Sequence, residues 1–232
     1  MSNTPFLLIP GLNSTSEVFG QLTPALWALG PVTVANHTEG DSIASIAAAI
    51  LRDAPPRFAL LGFSMGGYIA FELFRQAPLR VARLCLLDTT ARPDSPEATA
   101  KRRQKIAITR EGGFSKTLDG AFEDAVHPDH QGRADLRALS KAMSLAVGPE
   151  TYMRHQEAII GRIDSRPTLA DIKVPTAVIV GDEDKITPVE GAMEMADGIA
   201  GATLTVVERA GHMALLEQPE ATTGAIVEWG RG

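Results

Sequence analysis

Apolar residues gather along this chain in short continuous runs. They are "FLLIP" (6–10), "VTVA" (32–35), "FALLGF" (58–63), "RLCLLD" (83–88), "TAVIVG" (176–181) and "TLTVVE" (203–208). Most do not alternate with polar residues, which is the pattern of strands covered on both faces. Helix-like stretches lie between them, at 16–29, 42–53, 65–77, 188–200 and 217–230. The first follows Ser14-Thr-Ser-Glu17, which reads as a capping box. The second follows Asp41, and the fourth opens at Pro188. Strands alternating with helices predict parallel βαβ units in an α/β fold with a doubly wound sheet.

One interval breaks the alternation. Residues 89–172 contain no strand-like run and read as helical pieces at 97–111, 113–126, 133–147 and 150–163, separated by Pro and Gly. They are expected to form a helical cap, inserted into a single core domain made of 1–88 and 173–232. The charge balance changes there too. Residues 92–166 hold 13 Lys/Arg and 11 Asp/Glu, whereas the remainder holds 9 and 17. The densest basic spot is "KRRQK" (101–105), which reads first as a solvated helix face and only second as an anion-recruiting one.

Composition narrows the classes. A chain of 232 residues suits one domain with an insertion, and 44% apolar with 22% charged residues is ordinary for a globular protein. The net charge of −6 argues against nucleic acid and anionic membrane surfaces as partners. The single cysteine, Cys85, cannot form an intrachain disulfide and reads as a small buried hydrophobe. "MSNTPFLLIPG" shows no basic segment followed by a long apolar core, and no stretch approaches the roughly 18 apolar residues of a membrane span. The expectation is a cytoplasmic protein.

Candidate chemistry sits at "LLGFSMGGYIAFEL" (60–73). Gly62-Phe-Ser64-Met-Gly66 fits G-x-S-x-G and falls between a predicted strand and a predicted helix. There the pattern describes a sharp turn that exposes a nucleophilic serine at a helix N-terminus. A serine hydroxyl needs a base. His212, in "RAGHMALLEQP", follows the last predicted strand, as Ser64 follows the third, so both reach the carboxyl edge of the sheet. His127 and His130, in "VHPDH", read as surface histidines rather than a metal pair. The base needs an orienting carboxylate in turn. Asp182, Glu183 and Asp184 follow the fifth strand, and Asp88 ends the fourth. The chain order Ser…Asp…His is that of one hydrolase architecture.

"GFSMGG", "GDEDKITP" and "AGHMALLEQPE" together resemble the α/β-hydrolase-fold family, in the branch with a helical cap. The resemblance covers nearly the whole chain. It implies an acid at G-x-x-D-x-x-x-P, which Gly181, Asp184 and Pro188 match, so Asp184 is the implied acid and Asp88 its competitor. It also implies an oxyanion hole of backbone N–H groups from Met65 and from the loop after the first strand. The family usually shows His-Gly in that loop. Here Pro10 precedes Gly11, and Leu12 is the implied donor. Members often begin with an antiparallel hairpin, and this sequence starts almost at once with "TPFLLIPG". The expectation is therefore a mostly parallel sheet of about six strands, with a barer edge that a homodimer partner could cover.

The implied activity is a serine hydrolase acting on a small-molecule ester or lactone through an acyl-enzyme, with the triad Ser64, His212 and Asp184. It needs no metal and no organic cofactor. Asn13, Tyr68 and Met213 adjoin the triad and are read either as substrate contacts or as packing. Carbon–carbon bond hydrolysis and enol-lactone hydrolysis are alternatives in the same site. A non-catalytic ligand-binding protein on this scaffold is the reading from a different class.

Overall fold

The computed structural model describes residues 4–118 and 120–231. The ends of the expected core segments, 1–3 and 232, and residue 119 inside the expected helix 113–126 lie outside the described residues. Six parallel strands form one sheet: β1 (Phe6–Ile9), β2 (Val32–Val34), β3 (Phe58–Phe63), β4 (Val81–Leu87), β5 (Thr176–Gly181) and β6 (Thr203–Val207). Their order is β2-β1-β3-β4-β5-β6. The chain moves outward from β1 to β2, returns to the other side of β1 with β3, and then advances in one direction. The order reverses between β1 and β3, which opens a crevice at their carboxyl ends.

Side-chain alternation divides the core between the two faces of the sheet. Leu7, Ile9, Leu60, Leu86 and Val178 pack on one side, where α2 (Ile43–Asp53), α3 (Met65–Gln76) and α9 (Val189–Gly198) lie. Leu8, Leu61, Phe63, Leu87 and Ile179 pack on the other, with α1 (Leu22–Trp27) and α11 (Pro219–Arg231). Cys85 is fully buried there. β1, β3 and β5 are buried throughout, which explains their unbroken apolar runs. The edge strands differ from that pattern. β6 leaves Leu204 and Val206 exposed, because no further strand flanks it among the described residues.

Local capping departs from the sequence reading at the first helix. Ser14 does not cap it. Thr15 Oγ1 accepts from Glu17 N–H, and a 3₁₀ turn (Ser16–Phe19) precedes the short α1 instead of one helix over 16–29. Ser42, one residue after Asp41, caps α2 in a reciprocal box with Ser45.

Between β4 and β5 the chain is helical. It forms α4 (Pro96–Ile108), α5 (Phe114–Leu118), α6 (Ala121–Ala125), α7 (Ala134–Ile160) and α8 (Arg166–Leu169). A π-helical turn, Thr109–Gly113, joins α4 to α5. The expected helix 113–126 is two shorter ones. α7 is interrupted at Gly148 (φ 76°, ψ 165°), with Pro149 next, which divides it where the sequence predicted two pieces. The last short helix, α10 (Ala214–Glu217), precedes α11. Among the described residues no helix is long and apolar enough to cross a membrane.

Candidate active site

The turn from β3 into α3 puts Ser64 at φ 53°, ψ −118°, a conformation in which a non-glycine residue is strained. The close approach of strand and helix fixes its neighbours. A Cβ on Gly62 would lie 2.6 Å from the carbonyl carbon of Gly66, and one on Gly66 would lie 2.8 Å from that of Ile9. Neither position admits a larger residue without moving backbone. Ser64 N–H donates to Leu87 O at 3.0 Å, and its carbonyl accepts from Thr89 Oγ1 at 2.8 Å, so the neighbouring strand end holds the turn in place.

Ser64, His212 and Asp184 come together. His212 Nε2 lies 2.8 Å from Ser64 Oγ, and its Nδ1 lies 2.8 Å from Asp184 Oδ2. Asp184 and His212 are buried. Burial alone would raise the pKa of Asp184. The charge and hydrogen bond of His212, with donation from Thr187, outweigh it and hold the carboxyl below its usual value. Its Oδ1 accepts from the N–H groups of Ile186 and Thr187, both at 2.8 Å, and its Oδ2 accepts from Thr187 Oγ1 at 2.7 Å.

Asp88 faces elsewhere. Its Oδ1 accepts from Gly181 N–H at 3.1 Å and its Oδ2 from Ala214 N–H at 3.2 Å, tying the end of β5 to the segment after His212. Complete burial, then the charge of Asp184, push its carboxyl well above the usual range. Asp182 accepts from Ala210 N–H at 3.0 Å and joins the same two loops.

Met65 is the first residue of α3, where N–H groups have no acceptor within the helix. Leu12 N–H also has no acceptor among the described residues. Gly11, just before it, is held by its carbonyl, which accepts from His37 Nε2 at 3.2 Å. His37 stacks on His155 of α7, with centroids 4.9 Å apart, and His155 Nε2 donates to the carbonyl of His37 at 2.9 Å. Burial first, then the neighbouring His155, lower the pKa of His37 to about 4. Burial lowers that of His155 as well. Both rings are therefore neutral at pH 7.

A cavity of about 630 Å³ opens above Ser64. Asn13, Tyr68 and Met213 line it, as do Ser64 and His212. Asn13 Oδ1 is buried with no partner among the described residues, and the Arg162 guanidinium lies 4.2 Å from the centroid of the Tyr68 ring. Helices α4 to α7 supply most of the remaining wall.

Three supporting residues escaped the sequence reading. Thr187 is one and His37 another. The third is Glu217, whose buried carboxylate accepts from the N–H groups of His127 (2.6 Å), Gly211 (2.8 Å) and Met213 (3.3 Å). His130 Nδ1 lies 2.9 Å from it. His127 and His130 are thus largely enclosed, not free on the surface as expected, because this carboxylate draws their segment against the loop of His212. His212 N–H also donates to Ala125 O at 2.8 Å. An acid five residues past the histidine was visible in "GHMALLEQP", but nothing in its spacing says that it faces inward.

The chain is similar to known proteins along nearly all of its length. A family model described as "Alpha/beta hydrolase family" matches residues 6–225. A pimeloyl-[acyl-carrier protein] methyl ester esterase of Aromatoleum aromaticum is 25% identical, over all of both chains. The protein of that name from Neisseria meningitidis serogroup B is 27% identical over 92% of this chain and 88% of its own. Among solved structures, a thermophilic esterase from Thermogutta terrifontis superposes with a TM-score of 0.89 at 29% identity, covering 98% of this chain and 89% of that one. An enol-lactonase from Burkholderia xenovorans superposes with a TM-score of 0.88 at 25% identity, covering 100% and 93%.

Proposed function

The chain belongs to the alpha/beta hydrolase family, and from that footing we propose that it hydrolyses a small-molecule carboxylic ester or lactone through an acyl-enzyme on Ser64. The observation that carries this reading is the unbroken line from Asp184 Oδ2 through His212 to Ser64 Oγ, 2.8 Å at each contact, below an open cavity. In this reading His212 Nε2 takes the Ser64 proton as Oγ attacks the carbonyl carbon. The N–H groups of Leu12 and Met65 receive the oxyanion, and losing one such donor typically costs about 2.7–4 kcal/mol. The carbon–oxygen bond to the leaving alcohol breaks as His212 returns the proton to that oxygen. Water then attacks the acyl-enzyme, with His212 as base, and releases the acid and free Ser64. Asp184 holds the imidazole in the Nδ1–H tautomer and stabilises its cation.

Helices within 89–172 act as the cap over this site, inserted in a core of 1–88 and 173–232. Asn13, whose Oδ1 lacks a partner among the described residues, and Tyr68 and Met213 contact the substrate. A lactone is the same chemistry with the alcohol tethered to its acyl group, and the likeness to the enol-lactonase favours including lactones. The relatives' names put methyl esters in the test panel. Wild type is expected to hydrolyse 4-nitrophenyl acetate, and Ser64→Ala to lose that activity with its circular dichroism and Tm unchanged. A folded Ser64→Ala chain that keeps the activity would contradict the assignment.

A further inference from the structure

The basic run at 101–105 turns part of its length towards the cavity. Ala98, Lys101, Arg102 and Lys105 of α4 all line the cavity. They stand at i, i+3, i+4 and i+7, so they form one stripe of the helix. On a helix packed over a core that stripe is normally apolar. On α7, Arg137, Ser140, Lys141 and Ser144 repeat the same spacing and line the same cavity. Two helices thus present polar, mostly cationic stripes to a space that also contains Ser64.

The local charges do not cancel. Arg137 is paired with Glu123 at 2.7 Å. Arg102 donates through Nε to Asp94 and through one Nη to Gln156, both at 2.7 Å, and leaves its other Nη without a partner among the described residues. Asp94 is shared, because Arg162 binds its second oxygen. Lys101, Lys105 and Lys141 have no hydrogen-bond or ion-pair partner among the described residues. Asp124 is the one other lining carboxylate among them. A chain of net charge −6 therefore surrounds a cavity whose wall is positive. Such a wall, in a cleft with low-dielectric sides, concentrates anions.

Lys105 is the most telling member. Its side chain borders the cavity and is exposed, yet the protein around it lowers its pKa, by desolvation first. The charge of Arg102 lowers it further, Asp124 opposes, and Lys101 adds to the lowering. An ammonium in that position gains from an incoming anion.

We propose that the cavity selects esters or lactones carrying a second, ionised carboxylate, held by Lys105 and the free edge of the Arg102 guanidinium, several bonds from the carbonyl above Ser64. The inference rests on the ester-hydrolase reading for its reacting carbonyl but not for its anion site. Its test separates the two. Monomethyl glutarate and monomethyl adipate are compared with methyl pentanoate and methyl hexanoate, which match them in length and lack the acid. In the Ser64→Ala background, calorimetry is expected to show the acidic esters binding at least about tenfold tighter at low salt. Lys105→Gln is expected to abolish that preference, and high salt to shrink it. In the otherwise wild-type chain, Lys105→Gln is expected to raise KM for the acidic esters with kcat nearly unchanged, and to leave the neutral esters alone. Equal binding of acidic and neutral esters, or equal loss for both in Lys105→Gln, overturns the inference and leaves the hydrolase reading standing. Preferential binding of the acidic esters without Ser64-dependent turnover of any ester overturns the hydrolase reading and leaves the anion site standing.

Discussion

The carboxylate of Asp184 takes four donors: two backbone N–H groups, the Thr187 hydroxyl and the His212 ring. That set keeps it ionised despite burial. Asp184→Asn keeps the shape but offers the imidazole the wrong partner, so kcat is expected to fall by roughly 10⁴-fold with little change in Tm. Steady-state kinetics of an aryl ester would read it. Thr187→Val removes one hydrogen bond to the charged oxygen, and a loss of about tenfold in kcat is expected. Glu217 is a different case, since it touches none of the reacting atoms. Glu217→Ala strands several buried donors around the His212 loop and is expected to destabilise the fold by roughly 3 kcal/mol, seen as a lower urea midpoint. Ser64 and His212 were legible because each lies in a short motif at a strand end. Thr187, Glu217 and His37 were not. Their roles depend on which distant backbone they meet, and one sequence does not encode that locally.

At the scale of elements, the central strands were legible because burial on both faces leaves continuous apolar runs. The edge strand β6 has a run of the same appearance and yet exposes Leu204 and Val206, since apolar sequence does not tell a central strand from an edge one. The helices over the cavity were legible as helical and as interrupted. Their stripes were not legible as cavity walls, because a basic stripe facing a pocket and one facing solvent have the same spacing. The interruption at Gly148 makes its own prediction. Its φ of 76° and ψ of 165° lie in a region open essentially to glycine, and strain there costs about 1–3 kcal/mol. Gly148→Ala is expected to lower Tm by several degrees. Gly132→Ala, at an open site with no positive φ, is expected to leave it unchanged.

For the molecule as a whole, the buried pair His37 and His155 joins the helices over the cavity to the loop bearing Leu12. The folded state holds His37 at a pKa of about 4, whereas an unfolded chain binds that proton near 6.5. Between those values the unfolded state binds more protons, so stability is retained above about pH 6.5 and falls as pH drops towards 4. At pH 5 the loss from His37 alone is about 2 kcal/mol. Urea unfolding at pH 7.5 and pH 5 is expected to show that loss, and His37→Phe to reduce it. An equal pH dependence in the variant would remove His37 from the account. The central claim remains that this fold exists to activate one serine. An organophosphonate probe, followed by intact mass and peptide mapping, tests it most directly. The account predicts one adduct per chain, on Ser64, formed by wild type and suppressed in His212→Ala. An unlabelled wild-type chain, or an adduct on another residue, would contradict it.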